Sequence, residues 1–128
     1  MVQNFAARVV LGLKKFDYIS QGRRSLNWLD VTEKVLFNDL GLVFKRVNGL
    51  APDYLGKYFI KRSAVRNKNR MGCNNFVVPR YRVSMGQRAF YFRGPKEWNG
   101  HGLPDNIKNT KDIDSFKRRV FHRIFHNK

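Results

Sequence analysis

The sequence predicts a mainly α fold: a small helical domain with a short β element after residue 75 and a C-terminal amphipathic helix. Three observations carry that expectation. Apolar residues recur at helical spacing in three segments, at 2–13, 36–47 and 113–125. The second of these has recognisable start and stop signals at its two ends. Extended patterning is clearest at residues 76–83. A length of 128 residues predicts one domain over the whole chain, and a hydrophobic content of 42% with 11 Phe, 5 Tyr and 2 Trp supplies a modest core.

Taken in order, the first helix spans residues 2–13, with Phe5, Ala6, Val9, Val10 and Leu13 on one face and Arg8 and Lys14 off it. That apolar face is expected to pack on the rest of the domain. Ser20 suits the N-cap of a short second helix through Leu26, and Trp28 and Leu29 read as a buried elbow. Asp30 caps the main helix. Glu33 follows three residues later, the capping-box spacing in its Asp form, in which the later carboxylate returns to the cap N–H. Leu36, Leu40, Val43, Phe44 and Val47 form the apolar stripe. Asn48-Gly49 ends it, because a residue without Cβ takes the left-handed conformation of the C′ position freely. Pro52 suits the first position of a short helix over 53–59, with Asp53 at its positive end.

Between residues 61 and 75 apolar residues thin out and Arg, Lys, Asn, Gly and Ser dominate, which predicts a flexible basic loop. Residues 76–79 and 80–83 read as extended, and Pro79, having no N–H to donate, restricts that strand to an edge. Residues 88–93 fit a strand or a helical turn alike. Gly94-Pro95 reads as a break, with Pro95 opening a helical turn through Trp98. The last helix carries Ile113, Phe116, Val120, Phe121, Ile124 and Phe125 on one stripe, with Lys117, Arg118, Arg119 and Arg123 mostly off it. Asp112 and Asp114 lie at its positive end and the basic residues nearer its negative end, as the macrodipole favours.

Charge is the strongest compositional signal. There are 26 Lys+Arg against 9 Asp+Glu, a net charge of +17, and the excess is uneven. Residues 54–96 hold eleven basic residues and no acid: Lys57, Lys61, Arg62, Arg66, Lys68, Arg70, Arg80, Arg82, Arg88, Arg93 and Lys96. Such a stretch repels itself unless counterions or a polyanion screen it. Nucleic acid is the expected polyanion, since each phosphate neutralised releases a condensed counterion. A solvated basic face without a ligand is the plain alternative.

No apolar run reaches the length of a transmembrane helix. Membrane-surface association through the basic amphipathic helix 113–125 ranks last, because Asp112, Asp114 and its apolar stripe suit intramolecular packing, so no membrane partner is expected. The N-terminal apolar run precedes Lys14-Lys15, the reverse of a secretory signal. Cys73 is the single cysteine, which excludes an intramolecular disulfide and a zinc site built on several cysteines. The expected compartment is intracellular.

Chemistry that would need an active site is not found. His122 and His126 stand four apart, but the glutamate and third ligand of a zinc motif are missing. Asp112 and Asp114 are explained by a cap and a first-turn acid. Gly94-Pro95-Lys96 lacks the glycine framework and Ser/Thr of a phosphate loop, and Cys73 has no histidine nearby in sequence. Neither a catalytic residue nor a cofactor is predicted.

Basic residues interleaved with rings are more informative. Arg80-Tyr81-Arg82 and Arg88-Ala89-Phe90-Tyr91-Phe92-Arg93 combine cations for phosphates with faces for bases, the pair that single-strand binders use. Phe90, Phe92 and Trp98 are read as core, and Tyr81 and Tyr91, with polar tips, as surface rings. The predicted nucleic-acid-binding set is therefore Lys61, Arg62, Arg66, Lys68, Arg70, Arg80, Tyr81, Arg82, Arg88, Tyr91, Arg93 and Lys96.

The order of short motifs resembles a family. Asn4-Phe5-Ala6-Ala7-Arg8, Leu26-Asn27-Trp28-Leu29-Asp30-Val31 and the run from Phe44-Lys45-Arg46-Val47-Asn48-Gly49 through Leu50-Ala51-Pro52-Asp53-Tyr54-Leu55 come first. Val77-Val78-Pro79-Arg80, Gly94-Pro95-Lys96-Glu97-Trp98-Asn99, Leu103-Pro104 and Ser115-Phe116-Lys117 follow. Together they are similar to the extreme C-terminal region, downstream of the polymerase palm, of the reverse transcriptases of non-LTR (LINE-type, jockey-like) retrotransposons. One departure is local: Gly100-His101-Gly102 stands where the family runs almost directly from Trp-Asn into Leu-Pro. The paired aspartates of the family's palm and the carboxylate site of its endonuclease are absent, so no catalytic residue carries over.

The resemblance implies a non-catalytic part of an RNA-directed DNA polymerase that helps hold template RNA or target DNA. Its implied partners are nucleic acid and the remaining domains of the reverse transcriptase, and its implied location is the nucleus. Trp28, Leu29, Pro52, Tyr54, Leu55, Trp98 and Leu103 then read as core and turn residues. The alternative is a packing module of the parent polypeptide, or a truncated or host-adopted remnant without nucleic-acid activity of its own.

Overall fold

The computed structural model describes residues 2–65, 75–100 and 103–126. It is mostly helical, as the periodicity predicts. The backbone gathers into two compact units, Met1–Val35 and Leu36–Lys128.

The first unit holds α1 (Val2–Leu11), α2 (Ser20–Ser25) and the opening of α3 (Val31–Val47). Gly12, at φ 65°, closes α1: the Leu13 N–H returns to the Arg8 carbonyl at 2.9 Å and the Gly12 N–H to that of Val9 at 3.4 Å. Asn27, at φ 55°, closes α2 in the same way, with Trp28 N–H on Arg23 and Asn27 N–H on Arg24, both at 3.0 Å. Asparagine is one of the few side chains that visit this region readily. Ser20 is not a cap. It is the first residue of α2, whose N-cap is Ile19 without a side-chain bond.

The face that α1 buries also differs from the predicted one. Ala7 is buried and Gln3 Nε2 donates to the Leu29 carbonyl at 2.6 Å, while Phe5, Val9 and Val10 are exposed. α1 packs against α2, which at six residues covers one side only. Gly22 permits that approach, since a Cβ there would lie 2.6 Å from Leu11 Cδ1. Leu29 and Ile19 are buried and Trp28 is half-buried.

The return half of the capping box forms, Glu33 Oε2 accepting from the Asp30 N–H at 2.9 Å, while Asp30 Oδ1 accepts from the Val31 N–H at 2.9 Å rather than from that of Glu33. Arg23 and Arg24 hold the same two carboxylates, at 3.1 and 3.4 Å. At the other end of α3, Gly49 stands at φ 70°, with Leu50 N–H on the Lys45 carbonyl at 2.8 Å and Gly49 N–H on that of Arg46 at 3.2 Å. The stop signal read from the sequence is realised in full, and the start signal in its return half.

The second unit is organised around an aromatic core. Leu40, Val43 and Phe44 of α3 meet Phe59, Phe76, Trp98, Leu103, Ile107, Phe116 and Val120. Phe44 stacks on Phe116 at 4.1 Å, Phe116 on Trp98 at 6.1 Å, and Phe76 lies between Trp98 and Phe59 at 6.1 and 5.6 Å. Burial of such rings is the main stabilising term, about 1.5–3 kcal/mol for each fully buried side chain. Val47, last on the predicted stripe, is exposed.

Several local expectations change here. Pro52 is the N-cap, at ψ 144°, of a 3-10 helix (Asp53–Tyr58), and Tyr54 is exposed rather than core. Among the described residues the β element reduces to one antiparallel bridge between Lys61 and Phe76, with Arg62 N–H on the Asn75 carbonyl and Val77 N–H on that of Ile60, both at 2.8 Å. It cannot lengthen, because α4 (Arg62–Val65) starts immediately after Lys61. On its other edge Phe76 is paired by a side chain: its N–H donates to Asn99 Oδ1 at 2.9 Å and Asn99 Nδ2 donates to its carbonyl at 2.7 Å. The Asn99 amide thus stands where a third strand would pair. Of the predicted basic loop, residues 66–74 lie outside the described residues.

After α5 (Ser84–Gln87), α6 (Phe90–Gly100) runs unbroken through Gly94-Pro95, where a break was expected. Both residues are buried. A Cβ on Gly94 would lie 3.1 Å from Val43 Cγ2 and 3.2 Å from Phe59 Cε1, so glycine sets how closely this helix approaches α3. Pro95, inside the helix, forgoes the bond to the Tyr91 carbonyl and crowds that carbonyl with its ring, costs that its burial offsets. α7 (Asp105–Lys108) and α8 (Ile113–His126) complete the chain. Asp112 caps α8, its Oδ2 accepting from both the N–H and the hydroxyl of Ser115 at 3.2 Å. The Ser115 N–H, more than any other group, holds the Asp112 carboxyl below its ordinary pKa. Among the described residues, no helix is long and apolar enough to cross a membrane.

Candidate nucleic-acid interface

The bridge between Lys61 and Phe76 brings α4 beside the extended residues 77–80 and leaves an open groove between them. Arg62, Val65, Val77, Val78 and Arg80 line it, enclosing about 600 Å³. Two guanidinium groups therefore share a groove with an apolar wall of three valines. Lys61, Arg62 and Arg80 are exposed. Among the described residues Lys61, Arg62, Arg80, Arg82 and Arg88 have no acidic partner within ion-pair distance.

Arg80 leads directly into a series of rings. Tyr81 packs edge-on against Tyr91 at 5.7 Å and against Phe92 at 5.9 Å, and Tyr91 stacks on Tyr58 at 5.2 Å with 27° between planes. Lys96 Nζ lies 5.5 Å over Phe92. α5 supports the series from behind. A Cβ on Gly86 would lie 2.8 Å from Tyr81 Cγ, and Gln87 Nε2 donates to the Tyr81 carbonyl at 3.3 Å. Burial, and then the hydrogen bond to Tyr91, push the Tyr81 hydroxyl above its ordinary pKa. Tyr81 and Tyr91 are half-buried, whereas Tyr58 keeps 48% of its surface exposed.

Not every predicted residue faces solvent. Arg93 is half-buried and reaches back to α3, its Nε 3.1 Å from Asp39 Oδ2 and its Nη2 3.4 Å from Oδ1. Glu97, one turn further along α6, shares this site with Asp39. Burial, then the neighbouring Asp39, push Glu97 up to about 7. Asp39 is raised as well, by burial above all, with Arg93 opposing. Two carboxyls and one guanidinium thus form an internal polar cluster. Lys108 is also internal, donating to Asn75 Oδ1 at 3.1 Å with its Nζ 5.7 Å over the Trp98 ring, and burial lowers its pKa.

Arg66, Lys68 and Arg70 lie outside the described residues, as do Cys73 and His101. The His122 and His126 rings are 4.3 Å apart on α8, and among the described residues no three metal-ligating side chains come together.

The structure therefore joins Arg62 and Arg80 at one groove, and Tyr81, Tyr91 and Lys96 along one series of rings. It sets Arg93 apart. Sequence reasoning missed Tyr58, the valine wall, the Asn99 clamp and the cluster around Asp39. A signal existed for two of these. Lys57-Tyr58 is a further basic–aromatic pair in the acid-free stretch, and Asp39 falls in phase with Leu36, Leu40 and Val43, which marks a buried acid. No protein-family model matches this chain, and neither a curated protein nor a solved structure is detectably similar to it.

Proposed function

We propose that this chain is a non-catalytic nucleic-acid-binding domain, comparable to the C-terminal region of a non-LTR retrotransposon reverse transcriptase, that helps hold template RNA or target DNA in the nucleus. What supports the reading is one observation: exposed basic residues from the acid-free stretch, Arg62 and Arg80 in the groove with Lys61, Arg82 and Arg88 elsewhere in the same stretch, have no acidic partner within ion-pair distance among the described residues. Phosphate oxygens are the complementary partner, and such contacts give affinity with little sequence preference.

The test is binding of the purified chain to single-stranded RNA, single-stranded DNA and duplex DNA across a salt series. Steep loss of affinity with salt is expected. Replacing Arg80, Arg82 and Arg88 together by Ala should reduce the slope of log K against log salt by about 2–3, at about 0.7–0.9 for each phosphate contact. A folded chain that binds none of the three at low salt would sink the reading.

A packing module of the parent polypeptide is the second reading. It is favoured by the outward apolar residues Val2, Phe5, Val9 and Val10 of α1. Binding to the other parts of that polypeptide that survives charge reversal across residues 61–93 would establish it.

A further inference from the structure

We propose that Tyr58, backed by Tyr91 and Tyr81, is a stacking site for an unpaired base, and that the adjoining groove takes the phosphates of the same strand. This rests on the nucleic-acid reading and adds a strand preference to it: single-stranded polynucleotide, RNA or DNA, over duplex.

Tyr58 has one ring face against Tyr91, at 5.2 Å, yet 48% of its surface is exposed. Its ring is held in place by that contact, and nearly half of the residue's surface is open to solvent. The next ring, Tyr81, is clamped between Tyr91 and the backbone of α5, so the orientation of the whole series is set before anything binds. A preorganised ring loses little freedom on binding, and every base has a π face, so stacking of this kind tolerates any sequence.

Charge is placed to suit a strand running past those rings. Lys57 precedes Tyr58, Arg80 and Arg82 flank Tyr81, and all three are exposed. Arg80 belongs to both features, since it lines the groove and leads into Tyr81. Opposite it stands Arg62, with Val65, Val77 and Val78 as an apolar wall suited to the edges of sugars and bases. A duplex keeps its base faces covered by their neighbours and would have to unstack to reach Tyr58. An acidic peptide would use the cations but has no call on the exposed ring.

The experiment is fluorescence anisotropy on the full chain with labelled single-stranded RNA, single-stranded DNA and duplex DNA of equal length, comparing the wild type with Tyr58→Ala and Tyr58→Phe. Because Tyr58 is an exposed ring, both variants should keep the wild-type circular dichroism spectrum. Tyr58→Ala is expected to weaken single-strand binding about ten-fold or more and duplex binding less than about two-fold, with the salt slope unchanged. Tyr58→Phe, which keeps the ring, should bind like the wild type. The RNA and DNA arms report which strand is preferred, and either preference supports the site. Equal loss on single strand and duplex, or no loss, in a chain that still binds with a steep salt slope overturns the stacking site and leaves the nucleic-acid reading standing. Failure of the folded wild type to bind any of the three overturns both.

Discussion

Asn99 shows how one side chain can replace an element. Its amide satisfies both backbone groups of Phe76, a residue only 2% exposed, at 2.9 and 2.7 Å. Asn99→Ala leaves a buried donor and a buried acceptor unmet, and should lower the unfolding free energy by about 2–6 kcal/mol in a urea titration, at about 1–3 for each group. A loss below about 1 kcal/mol would mean that water takes over both bonds. Glu97 makes a prediction of the opposite sign. Its pKa in the fold, about 7, exceeds the ordinary 4.5, so the folded chain binds this proton more tightly than the unfolded chain does. Stability from this group is therefore greatest below the ordinary value, falls as pH rises between the two values, and is flat above the upper one. Glu97→Gln should remove that slope. Relative to the wild type it gains about 1–2 kcal/mol between pH 5 and pH 8, after discounting for the water that reaches the carboxyl. Chemical denaturation at the two pH values measures it, and a difference that does not change with pH would refute the assignment.

The helix ends were legible because their signals are local. A capping box needs residues three apart, and a left-handed closure needs one glycine or asparagine at the right place; Glu33 and Gly49 perform as their spacing implies. Gly12 and Asn27 use the same closure, and their signal was equally present in the sequence. Gly94-Pro95 misleads for the converse reason. Its meaning depends on Val43 and Phe59, which are distant in the chain, and the close approach they require outweighs the local preference for a break. Two glycines of the packed helices should accordingly respond in opposite ways to alanine. Gly41, with nothing near its missing Cβ, should gain about 1 kcal/mol from helix propensity. Gly94→Ala instead crowds Val43 and Phe59, both buried, and the overpacking of about 1–3 kcal/mol outweighs that gain. Thermal denaturation of the two variants checks the pair, and a Gly94→Ala protein as stable as Gly41→Ala would show that the core yields there.

At the scale of the molecule, the mainly helical fold, the basic character and the acid-free stretch were all readable in the residues, because composition, periodicity and cap chemistry are properties of neighbours along the chain. The groove and the ring series were readable only in part. Arg80, Tyr81, Tyr91 and Lys96 were named from interleaved charge and aromaticity, but Tyr58 and the valines join them through packing between segments far apart in sequence. The face of α1 was misread because periodicity identifies a stripe without saying what covers it, and α2 is too short to cover Phe5, Val9 and Val10. Arg93 is the sharpest case. Nothing local separates it from Arg82 or Arg88, yet α6 turns it toward Asp39, one turn of helix from Glu97. Which elements form, and the sign of the charge they carry, follow from short-range backbone sterics and side-chain chemistry. Which basic residues stay free for a ligand follows from where the folded chain happens to place an acid, because a charge is neutralised by whatever lies within a few ångströms in space, however far away it lies in sequence.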